Sequence, residues 1–262
     1  MLSVLKLGGS VLQDGPSYAR AAAFLKARLD AHPDERLVVI VSAQYGSTDA
    51  LLAEAEAIAG TPDDHALDLL WSTGELRSVA LLTLHLQRQG TAAVPFNVHQ
   101  TGLVAERPSA TTVRPLRLLA ALATSRLVIV PGFLGVSAGG TITSLGRGGS
   151  DLTAVLLAAA VRADACELIK DVPGYFTADP HRDAAAQPLH HLSIDEALAM
   201  ADTGCDLVQR AALVAAGAAS LPLVIRSMDA AAPVTTLSHA QPRSQHHGIR
   251  LENDSRRAAV GA

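Results

Sequence analysis

Several short runs in this chain are apolar without interruption, and each is followed by a helical pattern. Residues 36–42 (RLVVIVS) and 126–130 (RLVIV) are the clearest. A strand reads this way when both of its faces are covered, as in parallel sheets. Shorter strand-like runs, mostly apolar but broken by single polar, charged or Pro residues, lie at 3–7, 92–96, 165–170 and 221–226. Helical spacing fills the gaps at 18–29, 49–58, 112–123, 150–161, 193–201 and 206–215. A longer helical stretch, with room for a break, runs toward Gln89 from a start marked by Thr61, Pro62 and Asp64. Ser193 and Glu196 form a capping box for the helix that follows them. Strands alternating with helices specify an α/β fold with a mainly parallel sheet covered on both faces. Residues 135–140 read as a loose Gly-rich stretch, and no internal repeat or clear linker interrupts the pattern. From Pro242 onward the chain turns polar, with one edge strand expected at 248–251 and a disordered end after it.

Composition narrows the class. Hydrophobic residues make up 49% and charged residues 18%, so the chain has the means to build a globular core. Aromatics are only 3%, which leaves that core to Leu, Val, Ile and Ala. The net charge of −4 attracts neither nucleic acid nor an anionic membrane, so an anion site has to be made locally. The only lysines are Lys6, Lys26 and Lys170; every other basic side chain is Arg. A lysine kept in such a background points to a place where a compact ammonium is wanted, and Lys6 and Lys170 both sit in turns suited to phosphate. Cys166 and Cys205 are far apart and form no disulfide or zinc pattern. The opening residues do not read as a signal peptide and no run has the length of a membrane span. A cytoplasmic enzyme is the expectation.

The segment 143–155 (TSLGRGGSDLTAV) carries most of the chemical information. Gly146, Gly148 and Gly149 allow close backbone approach to a ligand. Arg147 offers a planar fork for carboxylate or phosphate. Ser150 or Asp151 is placed to cap the following helix while facing the same ligand. Lys6-Leu7-Gly8-Gly9-Ser10 ends the first strand in a turn whose N–H groups suit an anion, although it lacks the P-loop spacing. Ser47 and Thr48 follow the second strand, where α/β sheets bind their ligands, and either one equally suits helix capping. Gly74 inside a helical pattern is unfavourable by about 1 kcal/mol against Ala, which implies close packing at that point. Its neighbour Glu75 can receive an amino group or simply face solvent. Lys170-Asp171-Val172-Pro173-Gly174 ends another strand and turns sharply; an aromatic beyond it can support a purine, Lys170 and Arg182 can reach phosphates, and Phe176 equally suits anchoring the loop. The histidines show no metal-ligand spacing.

Taken in order, KLGGS, VVIVSAQYGSTDALL, STGEL, VPGFLG, TSLGRGGSD, KDVPGYFTADP and IRS resemble the amino acid kinase superfamily, and most of all the catalytic domain of aspartokinases. The similarity extends over residues 1 to about 235. It implies a three-layer αβα sandwich with an acceptor-binding lobe at about 1–160 and a nucleotide-binding lobe at about 161–235. It also implies ATP with Mg²⁺ as phosphoryl donor, the side-chain carboxylate of aspartate or a close analogue as acceptor, and an acyl phosphate as product. Carried over by position, Lys6 and Asp151 are the catalytic residues, with Asp151 orienting the lysine. Gly8, Gly9, Ser10, Lys170, Asp171, Phe176 and Arg182 fall to the nucleotide. Thr48, Glu75, Phe133, Arg147 and Ser150 fall to the acceptor, with Arg147 on its carboxylate and Glu75 on its α-amino group. A homodimer is the expected assembly.

Several positions depart from the aspartokinase pattern. Lys170 stands where Thr is usual, Phe176 where Tyr is usual, His181 where Arg is usual, and Asp206 where Lys is usual. One cation is lost at 206 and one gained at 170, so Lys170 is expected to supply the missing charge. The opening KLGGS is closer to other small-molecule branches of the superfamily. The chain stops where aspartokinases begin their regulatory domains, so feedback control through such domains is not expected. Two other readings stand beside the aspartate-like acceptor: a kinase of another amino acid, a carbamate or a phosphate monoester, and a degenerate member that binds ligand without turnover.

Overall fold

The apolar runs become the centre of an eight-stranded sheet. In the computed structural model, residues 1–106, 110–146, 148–180, 182–205 and 207–239 are described. Arg147, His181, Asp206 and the strand expected at 248–251 lie outside them.

In chain order the strands are β1 (Leu2–Leu7), β2 (Arg36–Val41), β3 (Val94–Pro95), β4 (Leu103–Glu106), β5 (Ala110–Val113), β6 (Leu127–Pro131), β7 (Leu134–Val136), β8 (Ile142–Ser144), β9 (Ala165–Ile169), β10 (Tyr175–Phe176), β11 (Pro188–Leu189), β12 (His191–Ser193), β13 (Leu223–Arg226) and β14 (Thr235–Ser238). The helices are α1 (Gly15–Ala31), α2 (Ser47–Ala59), α3 (Asp64–Arg88), α4 (Leu116–Thr124), α5 (Gly149–Val161), α6 (Ile194–Asp202) and α7 (Arg210–Ala218). The large sheet runs β12-β14-β13-β9-β1-β2-β6-β3. Its pairings are parallel except β13 with β14.

Alternation along each strand builds the three layers. Val38 and Ile40 of β2, with Val128 and Val130 of β6, pack toward α4, α5 and α7. Leu37, Val39 and Val41, with Leu127 and Ile129, pack toward α1 and α3. Side chains alternate between faces along a strand, so a run buried on both sides must be apolar at every position. Each fully buried Val, Leu or Ile contributes about 1.5–3 kcal/mol, which makes the central strands the firmest part of the scaffold. No helix among the described residues is long and apolar enough to cross a membrane.

Local chemistry moves several boundaries from those read in the sequence. α3 is unbroken and starts at Asp64, because the Asp63 carboxylate accepts from His65 N and Ala66 N at 3.0 and 3.1 Å; Thr61 is not its cap. The helix expected from 112 begins only at Leu116, after Pro115, and Thr111, Thr112 and Val113 are strand residues of β5 instead. The Gly-rich stretch is in part β7, which joins a second sheet of order β5-β4-β7-β8. Gly135 belongs there because a Cβ would lie 2.5 Å from Leu103 Cδ2 and 2.8 Å from Ala105 Cβ. α7 begins at Arg210 with Gln209 as N-cap, four residues later than the apolar spacing implies. The Ser193–Glu196 capping box forms as expected.

Candidate functional site

Strand parity decides where the first lysine goes. Leu5 and Leu7 of β1 face α1 and α3, while Val4 faces α5. Lys6 therefore points to the α5 side, at the carboxyl end of its strand, and is only 7% exposed. The turn that follows is tied by Val11 N and Leu12 N donating to Gly8 O, both at 3.0 Å. A Cβ on Gly8 would lie 3.0 Å from the Lys6 Nζ, and one on Gly9 would lie 3.2 Å from Ala43 O. The glycines of KLGGS thus leave space for an ammonium and for the neighbouring strand end.

β9 runs parallel beside β1, with Leu7 opposite Ile169. Lys170 comes next, so both lysines leave neighbouring strands at the same end. Between them stands Asp151 in the first turn of α5. Its Oδ1 lies 2.8 Å from Lys6 Nζ, and its Oδ2 accepts a hydrogen bond from Lys170 Nζ at 2.8 Å. Burial would lift this carboxyl, but Lys6 and Lys170 outweigh it and hold it at about 2. Burial and the nearby Lys6 charge lower the Lys170 ammonium, against the pull of Asp151. One carboxylate thus faces two cations. A buried excess of positive charge is unfavourable unless an anion joins it.

Neither Ser150 nor Asp151 caps α5. The N-cap is Gly148, in the left-handed region at φ 72°, without a side-chain cap bond. Asp151 is committed to the lysines, and Ser150 packs beneath the β6–β7 turn, where a Cβ on Gly132 would lie 2.8 Å from its Cβ and Oγ. The side chain of Gln209 occupies the space over Gly148, so that position admits only glycine.

Glu75 lies on α3 and is 3% exposed. Burial pushes its carboxyl up to about 8, against the opposing effect of backbone groups at Ala43 and Gly132 and of Lys6. Its Oε2 is buried without a hydrogen-bond partner among the described residues. The glycine before it explains how the helix comes so near: a Cβ on Gly74 would lie 3.2 Å from Ala43 Cβ and 3.5 Å from Leu51 Cδ1. Thr48 is in the first turn of α2, capped not by Ser47 or Thr48 but by Gly46 at φ 73°. Phe133 has φ 68°, an unusual conformation for a bulky residue. Its N–H donates to Thr153 Oγ1 at 3.1 Å, and Thr153 in turn donates to Gly149 O at 2.8 Å.

The remaining candidates occupy the loop after β9. Asp171 and Arg182 are exposed, and Phe176 is half-buried in β10, paired with Pro188 of β11. Sequence reasoning did not single out Trp71. Its indole Nε1 donates to Thr48 O at 3.2 Å, and its ring meets Phe133 edge-on at 5.4 Å. The available signal was its spacing, four residues before Glu75 on one helix.

Paired ammonium groups and a Gly turn at the carboxyl ends of parallel strands in an α/β domain make a place suited to an anion. More closely, the chain belongs to the amino acid kinase family, whose model matches residues 1–227. It is 35% identical over 266 residues to aspartokinase 2 of Bacillus subtilis, covering 99% of this chain and 65% of that protein. It is also similar in structure to an aspartate kinase from Synechocystis, with TM-score 0.82 and 34% identity, covering 94% of this chain and 41% of that one. A third relative is E. coli aspartokinase III in complex with aspartate and ADP, with TM-score 0.80 and 26% identity over 92% of this chain and 65% of that one. The chain thus spans less than two thirds of the length of each of these relatives.

Proposed function

We propose that this chain transfers the γ-phosphoryl group of ATP to the side-chain carboxylate of aspartate or a close analogue, giving an acyl phosphate. The observation that carries this reading is Asp151 held between Lys6 and Lys170 at 2.8 Å each. That carboxylate satisfies one cation and leaves the other in excess beside the KLGGS turn. A triphosphate supplies the missing anion. The similarity to aspartokinases supports aspartate as acceptor.

The chemistry asks for alignment and charge neutralisation. An acceptor carboxylate is already ionised at neutral pH, so no strong base is needed. Lys6 neutralises charge on the moving phosphoryl group, and Asp151 holds the ammonium in line. The amides of Gly8, Gly9 and Ser10 cradle the phosphates. Lys170, Asp171, Phe176 and Arg182 serve the nucleotide, with Lys170 as the relocated cation. Glu75 receives the α-ammonium of the acceptor, while Thr48, Phe133, Ser150 and Arg147 complete its pocket. In this reading the acceptor lobe is about 1–160 and the nucleotide lobe about 161–235.

The described residues hold no cluster of three or more His, Cys, Asp or Glu that suits a metal ion. Both Asp151 oxygens face lysines, so the donor set suits Mg²⁺ carried on the nucleotide phosphates, where it screens their charge. A homodimer in the cytoplasm completes the reading, and sedimentation tests the assembly. The deciding experiment is hydroxamate trapping with ATP, Mg²⁺ and a panel of amino acids. Hydroxamate with aspartate supports the proposal. Acceptor-dependent ADP without hydroxamate moves the acceptor to another chemistry, and neither product leaves a binding protein.

A further inference from the structure

Trp71 is the only tryptophan in the chain, and both of its fixed contacts are to residues of the candidate acceptor pocket. The indole N–H is bonded to Thr48 O at 3.2 Å, and the ring edge meets Phe133 at 5.4 Å with planes inclined by 67°. Trp71 and Glu75 are four residues apart on α3, so they project from one face of the helix. Gly74 between them lets that face close on Ala43 and Leu51. Phe133 cannot easily yield to a larger ligand. Its backbone is held at φ 68° by a hydrogen bond from its N–H to Thr153 Oγ1, which is itself bonded to Gly149 O. Unusual dihedrals of this kind persist only where the surroundings enforce them, and they concentrate at ligand sites.

We propose that Trp71 is the specificity-determining wall of the acceptor pocket, admitting a four-carbon amino diacid and excluding one with an extra methylene. This rests on the acceptor site assigned to Thr48, Glu75 and Phe133 in the phosphoryl-transfer reading. The indole spans from the start of α2 to the β6–β7 turn and is fastened at both ends. A wall fixed in this way turns chain length into a steric conflict, whereas a loose side chain would move aside. Pockets that discriminate by one methylene reach about 10- to 200-fold, and that is the range assigned to Trp71 between aspartate and glutamate.

The single tryptophan makes the test direct. The intrinsic fluorescence of the wild-type chain is titrated separately with aspartate, glutamate and MgATP, and hydroxamate formation is measured for both acids. Aspartate is expected to shift the emission saturably, and glutamate to do so only at about 10- to 200-fold higher concentration. Trp71→Ala is expected to lower the aspartate-to-glutamate ratio of kcat/KM at least tenfold, with the KM for ATP unchanged. Trp71→Phe keeps a ring against Phe133 but loses the bond to Thr48 that fixes the wall, and is expected to give a ratio between those of the parent and Trp71→Ala; a ratio equal to the parent's would overturn the role of the fixed indole. Hydroxamate formation from aspartate with no change in emission overturns the proposal and leaves the transfer reading intact. So does a loss in Trp71→Ala that is equal for both acids. A selective, saturable shift with aspartate but no hydroxamate supports Trp71 as the wall while the transfer reading fails. If neither signal appears, both fall. The wild-type titration does not depend on any variant folding.

Discussion

Glu75 gives the sharpest numerical expectation. Its carboxyl is pushed up to about 8 by burial, and in the proposed complex it must be ionised to receive an α-ammonium. At neutral pH it is mostly protonated, so acceptor binding first has to remove a proton. Each unit between the ambient pH and the group's pKa corresponds to about 1.4 kcal/mol, or tenfold in affinity. The acceptor KM is therefore expected to fall about tenfold for each unit from pH 6 to pH 8 and then level off. The KM for ATP should show no such slope. Stability carries the opposite signature. In the unfolded chain Glu75 loses its proton near 4.5, while in the fold it keeps it to about 8. Between those values the unfolded state binds fewer protons, so this group's contribution to stability declines as pH rises. The total loss is on the order of 4–5 kcal/mol across the window. Glu75→Gln should abolish both slopes, raising the acceptor KM while raising Tm at pH 8 relative to the parent. Steady-state kinetics and thermal melts across pH read the two effects. An acceptor KM flat from pH 6 to 9 in the parent, or a slope surviving in Glu75→Gln, would refute the reasoning.

The other expectations concern the lysine pair and the close-packed turns. Asp151→Asn leaves two buried ammonium groups without their carboxylate and is expected to lower stability by about 3–5 kcal/mol by denaturant melt, with turnover lost. In the parent, the contribution of Asp151 is present above about 4 and lost as pH falls toward 2, because its folded carboxyl is held at about 2. Lys170→Ala is expected to raise the KM for ATP at least tenfold; an unchanged value would remove Lys170 from the nucleotide. Gly132→Ala places a Cβ 2.8 Å from Ser150 and 2.9 Å from Ile40 Cγ2, and is expected to destabilise by about 1–3 kcal/mol. Ser193→Ala removes the α6 cap, 3.1 Å from Glu196 N, and should cost about 1 kcal/mol without changing kinetics.

The central sheet was legible because burial on both faces leaves an unbroken apolar run, as in RLVVIVS and RLVIV. The small sheet was not. Its strands are three or four residues long, too short for a period to show, and the pairing that joins its two halves brings Val104 to Val136 from distant parts of the chain. The site divided along the same line. Lys6, Gly8, Gly9 and Asp151 stood out because turn chemistry is local. That Asp151 would bridge two lysines rather than cap its helix depends on β1 and β9 being neighbours, which no local pattern records. Trp71 was missed for the same reason: nothing in STGEL shows that the turn of helix before it reaches Thr48 and Phe133.

Parity connects these observations. Lys6 is the one charged residue of β1, and a charge there is tolerable only if the face it points to supplies a partner. α5 does so by starting with Gly148 in a conformation that needs no side-chain cap, which frees Asp151 for the lysine. Lys170 then brings a second cation to a carboxylate that one would have satisfied. In a chain with a net charge of −4, this concentrates positive charge where the sheet ends, beside the KLGGS turn. Such an arrangement gains little for folding, since the second ammonium is dehydrated beside a carboxylate it shares with Lys6, with Asp171 adding only a weaker pull. In the proposed phosphoryl-transfer reading the gain comes when a phosphate arrives, and the scaffold keeps that imbalance for the ligand more than for its own stability.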